Sequence, residues 1–364
     1  MKHLDEYRDR ELAAPLVAEL RRAVSKPLRV MEVCGSHTMA IFRNGLRSIL
    51  PTGLELVSGP GCPVCVTSAS HMDAFIAIAG RPGVRVAIFG DLFRVPGSHG
   101  SLAEAGSKGA KIDIVYSPMD ALELAVANPG DLLVFLGVGF ETTTPGIAAT
   151  ILAAHHRRVD NFLVFSTQKT MPAAMETLLS DPQLKIDGLL CPGHVSSIIG
   201  AAAWQPLADN YRLACVVAGF ETADLLKGLT LLARQVANDS IKVENAYPRA
   251  VSWEGNPRAQ AMVAEIFEPA DMDWRGLGRI PLSGLKIREQ YAHFDALSRL
   301  AITLPEAEEP KGCLCGDILK GISTPRHCPL FAGRCTPATP VGPCMVSSEG
   351  TCAAYYKYGQ DLES

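Results

Sequence analysis

Cysteine carries most of the chemistry that this 364-residue sequence offers. Six of its eleven cysteines fall between residues 313 and 352, so the C-terminal tail is far richer in thiols than the rest of the chain. In a reducing cytosol, clustered cysteines more often bind metal or perform redox chemistry than form a disulfide framework. The six tail thiols are Cys313, Cys315, Cys328, Cys335, Cys344 and Cys352.

The spacing of the tail thiols is compatible with more than one kind of metal site. Zinc sites usually present two close cysteine pairs, whereas only Cys313 and Cys315 are close here. An iron–sulfur cluster needs four converging thiolates, and a loop rich in proline and glycine can wrap them around it. The spacing therefore favours an iron–sulfur cluster over zinc, and buried cysteines without a ligand are the third interpretation. A bound metal would supply much of the tail's folding energy.

Cys34 stands where a predicted strand ends and a helix begins. It follows the apolar run 29–33 and precedes Gly35-Ser36-His37, in which Ser36 can cap the helix. A helix N-terminus and a neighbouring histidine both lower the pKa of a thiol, so we expect an acidified Cys34. Open α/β sheets bind their ligands at such strand ends. The alternative is a small buried residue that closes the strand.

A second thiol pair lies in the segment 59–65, Gly-Pro-Gly-Cys-Pro-Val-Cys, between a predicted strand and a predicted helix. Cys62 and Cys65 at a helix start suit a reversible disulfide or a soft metal. Cys191 and Cys215 fall inside apolar runs and are predicted to be core residues.

Three further polar residues follow predicted strands. His194 could act as a ligand, as an acid or base, or as a helix cap. Glu141 and Glu221 could accept a proton or a hydrogen bond near thiolates. They could equally occupy helix N-termini, where the helix dipole favours negative charge. The candidate reactive residues are therefore Cys34, Cys62, Cys65, His194 and Glu141.

The elements that must position these residues alternate between apolar runs and helix-like segments, which predicts an α/β protein. Unbroken apolar runs suit parallel strands that are buried on both faces. Eight strands could close a barrel, but the segment 29–237 is short for that fold, and Gly-Phe-Glu-Thr recurs at 139–142 and 219–222. The runs are 29–33, 54–57, 84–89, 112–116, 132–136, 162–165, 189–191 and 213–218.

We predict two similar open-sheet α/β domains followed by a third, irregular iron–sulfur domain. The first domain covers 1–120 and carries Cys34 with Cys62 and Cys65. The second covers 121–244 and carries Glu141 and His194. The third covers 245–364 and combines short helices and loops with the cysteine-rich tail.

Charge and composition exclude several classes of function. The formal net charge is −4 and no long block of lysine and arginine occurs, so nucleic acid is not an expected partner. The apolar runs are too short to span a bilayer, and the first ten residues are too charged for a signal peptide. We expect a cytoplasmic protein without a membrane partner. The sequence contains neither a P-loop nor a clean dinucleotide fingerprint.

Several of these segments together resemble one known family, the hydrogenase maturation factor HypD. The resemblance runs in order along nearly the whole chain. The matching segments are Cys34-Gly35-Ser36-His37-Thr38, 59–65, 139–143, 192–196, Glu289-Gln290-Tyr291 and 344–352.

The resemblance implies a scaffold that assembles the Fe(CN)2CO group of nickel–iron hydrogenases. It implies a HypC-type chaperone and a HypE-type cyanide donor as partners. It also implies a [4Fe-4S] cluster with the family's Cys-x14-Cys-x6-Cys-x16-Cys spacing. In this chain that spacing is formed by Cys313, Cys328, Cys335 and Cys352.

The remaining tail thiols, Cys315 and Cys344, would then form a dithiol/disulfide pair beside the cluster, an arrangement that resembles ferredoxin–thioredoxin reductase. Cys34 matches the family's iron-binding cysteine, and Cys62 and Cys65 match its second thiol pair. A soft thiolate suits iron that carries cyanide and carbonyl ligands.

We therefore expect Cys34 to anchor the iron of the Fe(CN)2CO cargo together with a thiolate of the chaperone. His37 and His194 would hydrogen-bond a cyanide nitrogen or orient the thiolate. The alternative function is a free-standing iron–sulfur thiol–disulfide reductase that acts on a protein substrate. A zinc-stabilised binding module is the third hypothesis.

Overall fold

The computed structural model describes residues 10–359, and within them the chain forms eleven strands in two sheets. The strands are β1 (Leu28–Glu32), β2 (Leu54–Ser58), β3 (Val84–Ile88), β4 (Lys111–Ile114), β5 (Leu132–Gly139), β6 (Phe162–Lys169), β7 (Gly188–Pro192), β8 (Ala214–Ala218), β9 (Val243–Asn245), β10 (Phe267–Trp274) and β11 (Gly278–Ile287).

Fourteen α-helices occur in the same residues, most of them following a strand. They are α1 (Arg10–Ala23), α2 (Gly35–Arg43), α3 (Ala69–Ala79), α4 (Leu102–Ser107), α5 (Pro118–Ala127), α6 (Thr144–Arg157), α7 (Met171–Leu179), α8 (Gly193–Ile199), α9 (Gln205–Tyr211), α10 (Thr222–Ala237), α11 (Pro257–Ile266), α12 (Ala296–Arg299), α13 (Cys315–Leu319) and α14 (Thr351–Tyr358).

Sheet A has the strand order β2-β1-β7-β8-β9 and is parallel throughout. Sheet B has the order β10-β11-β6-β5-β3-β4, in which β3, β4, β5 and β6 are parallel. The hairpin of β10 and β11 extends sheet B by antiparallel pairing with β6. All eight apolar runs form strands, and the prediction of an α/β fold with open sheets is confirmed.

The two sheets divide the chain differently from the predicted ranges 1–120, 121–244 and 245–364. Sheet A takes strands from 28–58 and 188–245, and sheet B takes strands from 84–169 and 267–287. Residue 120 therefore lies between two strands of sheet B, and residue 244 lies within β9 of sheet A. A buried parallel strand has the same apolar pattern in either sheet, so the pattern cannot assign strands to sheets. As separate folding domains the three ranges stay a prediction.

The segment 267–287 forms a hairpin where short helices were predicted. In β10, the residues Phe267, Met272 and Trp274 are buried while their neighbours are more exposed, the pattern of a strand with one face on the core. Pro269 does not prevent this strand, because β10 is an edge strand of sheet B, where proline is tolerated.

One continuous apolar core joins a face of sheet A, a face of sheet B and the tail. Met31 of β1, Phe165 of β6 and Cys344 of the tail belong to it. Separate cores lie between sheet B and α5, α6 and α11, and between sheet A and α1, α2 and α10. The tail is therefore packed between the sheets, even though its helices α13 and α14 are short.

Among residues 10–359, none of the helices combines the length and the apolar character that a membrane crossing requires.

Candidate functional site

Cys34 and the segment 59–65 meet because β1 and β2 are neighbouring parallel strands with adjacent carboxyl ends. Gly35 N donates to Gly61 O at 3.1 Å, which ties the two loops together. A Cβ atom on Gly61 would lie 2.4 Å from Cys34 Cα, so the close approach requires glycine at this position. The Gly-Pro-Gly sequence thus brings Gly61, the residue before Cys62, against Cys34.

Cys34 is the N-cap residue of α2 and is buried. Burial raises the pKa of its thiol to about 12, and the nearby Glu349 carboxylate contributes in the same direction. Hydrogen bonds from the backbone of His37 and Ser36 lower this pKa but do not compensate. The predicted acidified thiol is therefore wrong for the protein without bound metal, because desolvation outweighs the helix N-terminus.

Cys62 and Cys65 are joined by a disulfide bond and both are buried. Cys65 N lies 3.1 Å from Cys62 Sγ, so the pair occupies a tight turn at the start of the segment that leads to α3. Cys62 Sγ also lies 3.3 Å from the Ser347 hydroxyl of the tail. The structure thus gives this pair the oxidised form of the predicted reversible disulfide.

The tail closes over this corner of sheet A through Glu349. Ser36 Oγ donates to Glu349 Oε1. The backbone of Glu349 packs so closely on Gly35 that a Cβ atom there would lie 2.5 Å from Glu349 O. Burial raises the pKa of the Glu349 carboxyl, the hydrogen bond from Ser36 lowers it, and Asp91 raises it. Asp91 follows β3 of sheet B and accepts hydrogen bonds from Ser347 and Ser348, each at 3.2 Å.

His37 and His194 both pack against one aromatic ring, that of Phe220. The His37 ring is 4.8 Å from the Phe220 ring, and the His194 ring is stacked on Phe220 at 3.8 Å. His194 follows β7 and Phe220 follows β8, so both stand on the carboxyl edge of sheet A beside Cys34. His194 is exposed.

The buried His37 ring is held by the end of β8. Its Nε2 lies 3.2 Å from Ala218 O and 3.1 Å from Gly219 O, so Nε2 carries the proton and donates. Burial lowers the His37 pKa to about 4, and the ring is neutral at pH 7. Its Nδ1 is buried and has no hydrogen-bond partner among the described residues. A neutral ring cannot acidify Cys34 by charge, which is a further reason why that expectation is wrong.

Glu141 and Glu221 occupy equivalent positions after β5 and β8, as the Gly-Phe-Glu-Thr repeat predicts. Glu221 caps α10 in a capping box with Asp224, which corresponds to the structural alternative. Glu141 is buried, and its Oε1 accepts from Met171 N at 2.8 Å. Burial raises the Glu141 pKa to about 7. The carboxylate thus binds the start of α7 and not a thiol.

Four of the six tail thiols form a row in which each side chain contacts the next. Cys315 Sγ and Cys344 Sγ are 3.1 Å apart. Cys313 contacts Cys315, and Cys352 contacts Cys344, so the predicted redox pair lies between two predicted cluster ligands. Hydrogen bonds from Cys313 and Cys344, together with the charge of Arg275, lower the pKa of Cys315.

The other two predicted ligands are also buried in the tail. Cys328 Sγ lies 3.8 Å from Gly312 O, and Cys335 Sγ accepts from Val341 N at 3.3 Å. Within residues 10–359, no three His, Cys, Asp or Glu side chains are gathered closely enough to hold a single metal ion. All six donors of the tail are thiols, the ligand type of iron–sulfur clusters, and the ligand set Cys313, Cys328, Cys335 and Cys352 stays a prediction.

The chain is similar to known proteins along nearly its whole length. A family model described as "Hydrogenase formation hypA family", HypD, matches residues 11–359. The chain belongs to the HypD family. "Hydrogenase maturation factor HypD2" of Bradyrhizobium diazoefficiens is 45% identical over 370 residues, covering 99% of this chain and 97% of the relative.

Two further HypD relatives match over the same extent. "Hydrogenase maturation factor HypD" of Rhizobium leguminosarum is 45% identical over 374 residues, covering 100% of this chain and 97% of the relative. The protein of that name from Escherichia coli is 44% identical over 368 residues, covering 99% of each chain.

Sequence reasoning missed several polar residues of the corner around Cys34. Ser347 and Glu349 lie in the matching segment 344–352, but their contacts with Cys62 and Ser36 depend on how the tail folds back. Asp91 follows the strand β3, as Glu141 follows β5, so the same position after a predicted strand could have identified it.

Lys169 was missed because β6 extends beyond the predicted run 162–165. The side chain is buried, its Nζ donates to Thr167 O at 3.4 Å, and it lies 5.8 Å from the Trp274 ring. Burial lowers the pKa of Lys169 to about 7.

Proposed function

We propose that this HypD-family protein is a scaffold on which the Fe(CN)2CO group of nickel–iron hydrogenases is assembled. Cys34 anchors the iron of the cargo together with a thiolate of a HypC-type chaperone, and a HypE-type protein donates cyanide. The similarity to hydrogenase maturation factors of three organisms supports a role in hydrogenase maturation.

One observation carries the proposal: a buried single thiol, a disulfide and the tail meet at one corner. Gly61 packs on the backbone of Cys34, and Cys62 Sγ lies 3.3 Å from Ser347 of the tail. A lone thiol leaves coordination positions on the iron for ligands that arrive from elsewhere. A redox-active pair beside it gives the site access to electrons.

Iron binding at Cys34 requires the loss of a proton, because the thiolate is the ligand. The pKa of about 12 keeps the thiol protonated until a metal ion competes for the sulfur. Glu349 has a raised pKa and lies near Cys34, so it is placed to accept that proton. This transfer moves the negative charge from the Glu349 carboxylate to the Cys34 sulfur when the cargo binds.

The tail is proposed to hold a [4Fe-4S] cluster through Cys313, Cys328, Cys335 and Cys352. When bound, such a cluster supplies single electrons. Cys315 and Cys344 can change between a dithiol and a disulfide, which releases or takes up two electrons and two protons. Their 3.1 Å sulfur separation and their contacts with Cys313 and Cys352 support this role. The Cys62–Cys65 disulfide is a second pair that can accept electrons at the Cys34 corner.

The same sulfur separation also favours the second candidate function, an iron–sulfur thiol–disulfide reductase that acts on a protein substrate. The two functions differ in their cargo. Infrared spectroscopy of the protein purified anaerobically with its partners separates them, because the scaffold carries cyanide and carbonyl stretching bands. A complex with full iron and acid-labile sulfide but without those bands would favour the reductase.

A further inference from the structure

Three aromatic side chains stand together at the carboxyl edge of sheet A, and one of them is an exposed histidine whose ring makes no hydrogen bond. The ring of His194 is stacked on the ring of Phe220, with 3.8 Å between the centroids and an angle of 27° between the planes. Neither nitrogen of the His194 ring has a hydrogen-bond partner among the described residues. The N–H group of this ring is therefore free to donate to a bound molecule.

The ring of His37, which packs on the same phenyl ring, offers no such donor. Its Nε2 lies 3.2 Å from Ala218 O and 3.1 Å from Gly219 O, so its N–H is committed to the end of β8. Its Nδ1 is buried. The backbone of His37, by contrast, donates to the Cys34 thiol. The two histidines therefore differ in what they can do, and only His194 can donate from its ring to a ligand.

His194 and Cys34 follow neighbouring strands that end at the same edge. Glu32 of β1 pairs with Leu190 of β7, and Cys34 comes two residues after Glu32. His194 comes four residues after Leu190, so both residues lie just beyond the paired strand ends. Open parallel sheets bind their ligands at this edge. The His194 ring thus stands on the edge where cargo held by the Cys34 sulfur would lie.

The orientation of Phe220 is fixed from behind by Tyr247. The Tyr247 ring meets the Phe220 ring at 6.3 Å and 85°, an edge-to-face contact, and the Arg249 guanidinium lies 4.4 Å from the Tyr247 ring. A Cβ atom on Gly193 would lie 2.9 Å from the Tyr247 ring, and one on Gly219 would lie 2.6 Å from it. Both glycines are therefore needed for this packing. A platform held in this way preorganises the ring that stacks on it.

We propose that Phe220 is a positioning residue that holds the His194 ring in place to donate a hydrogen bond to a cyanide nitrogen of the cargo. This inference rests on the proposed function, because the cyanide belongs to the Fe(CN)2CO group. The nitrogens of bound cyanide lie at the outer ends of linear Fe–C–N units, where a side chain can reach them while Cys34 holds the iron. His37 takes no part in that bond and instead supports Phe220 and donates from its backbone to the sulfur.

The test is infrared spectroscopy of the protein purified anaerobically with its partners. A hydrogen bond to its nitrogen raises the stretching frequency of metal-bound cyanide. Phe220→Leu removes the flat ring and should therefore lower the frequency of at least one cyanide band, with the bands still present. Phe220→Tyr keeps the ring and should retain the wild-type frequencies. Phe140→Leu is the matched control in the other Gly-Phe-Glu-Thr segment, where Phe140 stacks on Trp274, and should leave the frequencies unchanged.

A second variant keeps the proposal testable if Phe220→Leu does not fold. His194→Ala removes the donor itself from an exposed position and should lower the same band. Cyanide bands that stay unshifted in Phe220→Leu or in His194→Ala would overturn the proposal and leave the scaffold function intact. An equal shift in Phe140→Leu, or one that persists in Phe220→Tyr, would also overturn it. Wild-type protein without cyanide and carbonyl bands would overturn the scaffold function and this inference with it.

Discussion

Cys62 Sγ lies 3.3 Å from the hydroxyl of Ser347, a contact that joins residues 285 positions apart in the sequence. The Ser347 hydroxyl in turn donates to Asp91 at 3.2 Å. A disulfide sulfur has no hydrogen to donate, but a reduced Cys62 thiol can donate to Ser347 while Ser347 donates to Asp91. The series of hydrogen bonds from Cys62 through Ser347 to Asp91 is therefore complete only when the Cys62–Cys65 disulfide is reduced.

Ser347→Ala should accordingly make the Cys62–Cys65 disulfide harder to reduce. The reduced form loses a buried hydrogen bond of ~1 kcal/mol, which corresponds to a reduction potential more negative by ~20 mV. Titration in thiol redox buffers, with the pair quantified by mass spectrometry, measures the shift. Ser348→Ala removes a neighbouring hydroxyl that also donates to Asp91 but is not the one in contact with Cys62, so its potential should match the wild type. Equal potentials for all three proteins would contradict the role assigned to Ser347.

The tail variants should fall into two classes. Replacing a predicted cluster ligand, most cleanly Cys328, by alanine should remove roughly four irons and the brown colour. Cys313→Ala is less decisive, because Cys315 lies two residues away and in contact with it. Cys315→Ala and Cys344→Ala should retain the cluster but lose the disulfide that forms between these two residues on mild oxidation. Iron and sulfide analysis with peptide mapping measures both properties, and full iron in Cys328→Ala would show that the ligand set is wrong.

Much of the fold could be predicted from the sequence, because strands and helices depend on local sequence patterns. The eight apolar runs form strands, and the meeting of the Cys34 loop with the segment 59–65 follows from neighbouring parallel strand ends. The assignment of strands to sheets could not be predicted, since buried parallel strands look alike. Ser347, Glu349 and Asp91 are brought together by the tail, which crosses between the sheets without regular periodicity.

The direction in which the pKa of Cys34 shifts was predicted wrongly, because its causes cannot be read from the sequence. The helix N-terminus and His37 were visible, but the burial of the thiol and the approach of Glu349 depend on tertiary packing. In the metal-free protein, alkylation of Cys34 by iodoacetamide should be slow at pH 7 and should accelerate about tenfold for each pH unit up to pH 10.

Removing the charge of Glu349 tests the cause of this shift. Glu349→Gln takes away a negative charge that disfavours the thiolate, so the pKa of Cys34 should fall and its alkylation at pH 8 should accelerate. Glu254→Gln, at an exposed position, should leave the rate unchanged. A slower reaction in Glu349→Gln than in the wild type would mean that Glu349 does not oppose ionisation of Cys34.

Because of Lys169, the free energy of unfolding should depend on pH in the neutral to alkaline range. The unfolded lysine titrates at its ordinary pKa of 10.5, whereas burial lowers the folded pKa to about 7. The folded state therefore loses stability as the pH falls from about 10 to 7, because the unfolded chain binds the proton more readily.

Lys169→Met removes this penalty and should stabilise the protein at pH 7 by ~1–4 kcal/mol, with a smaller gain at pH 9.5. Urea unfolding at the two pH values measures the difference, and the exposed Lys108→Met provides the control. A gain that is equal at both pH values would point to packing rather than to titration of Lys169.

The central claim is that Cys34 anchors the iron of the Fe(CN)2CO cargo. The most direct measurement is infrared spectroscopy of Cys34→Ala, purified anaerobically with its partners, beside Cys215→Ala, which removes a buried core thiol of β8. Both variants should fold and keep the tail cluster, since neither residue belongs to the tail. The account predicts cyanide and carbonyl bands in Cys215→Ala and none in Cys34→Ala. Bands of wild-type intensity in Cys34→Ala would contradict it and would move the anchor to Cys62 or Cys65.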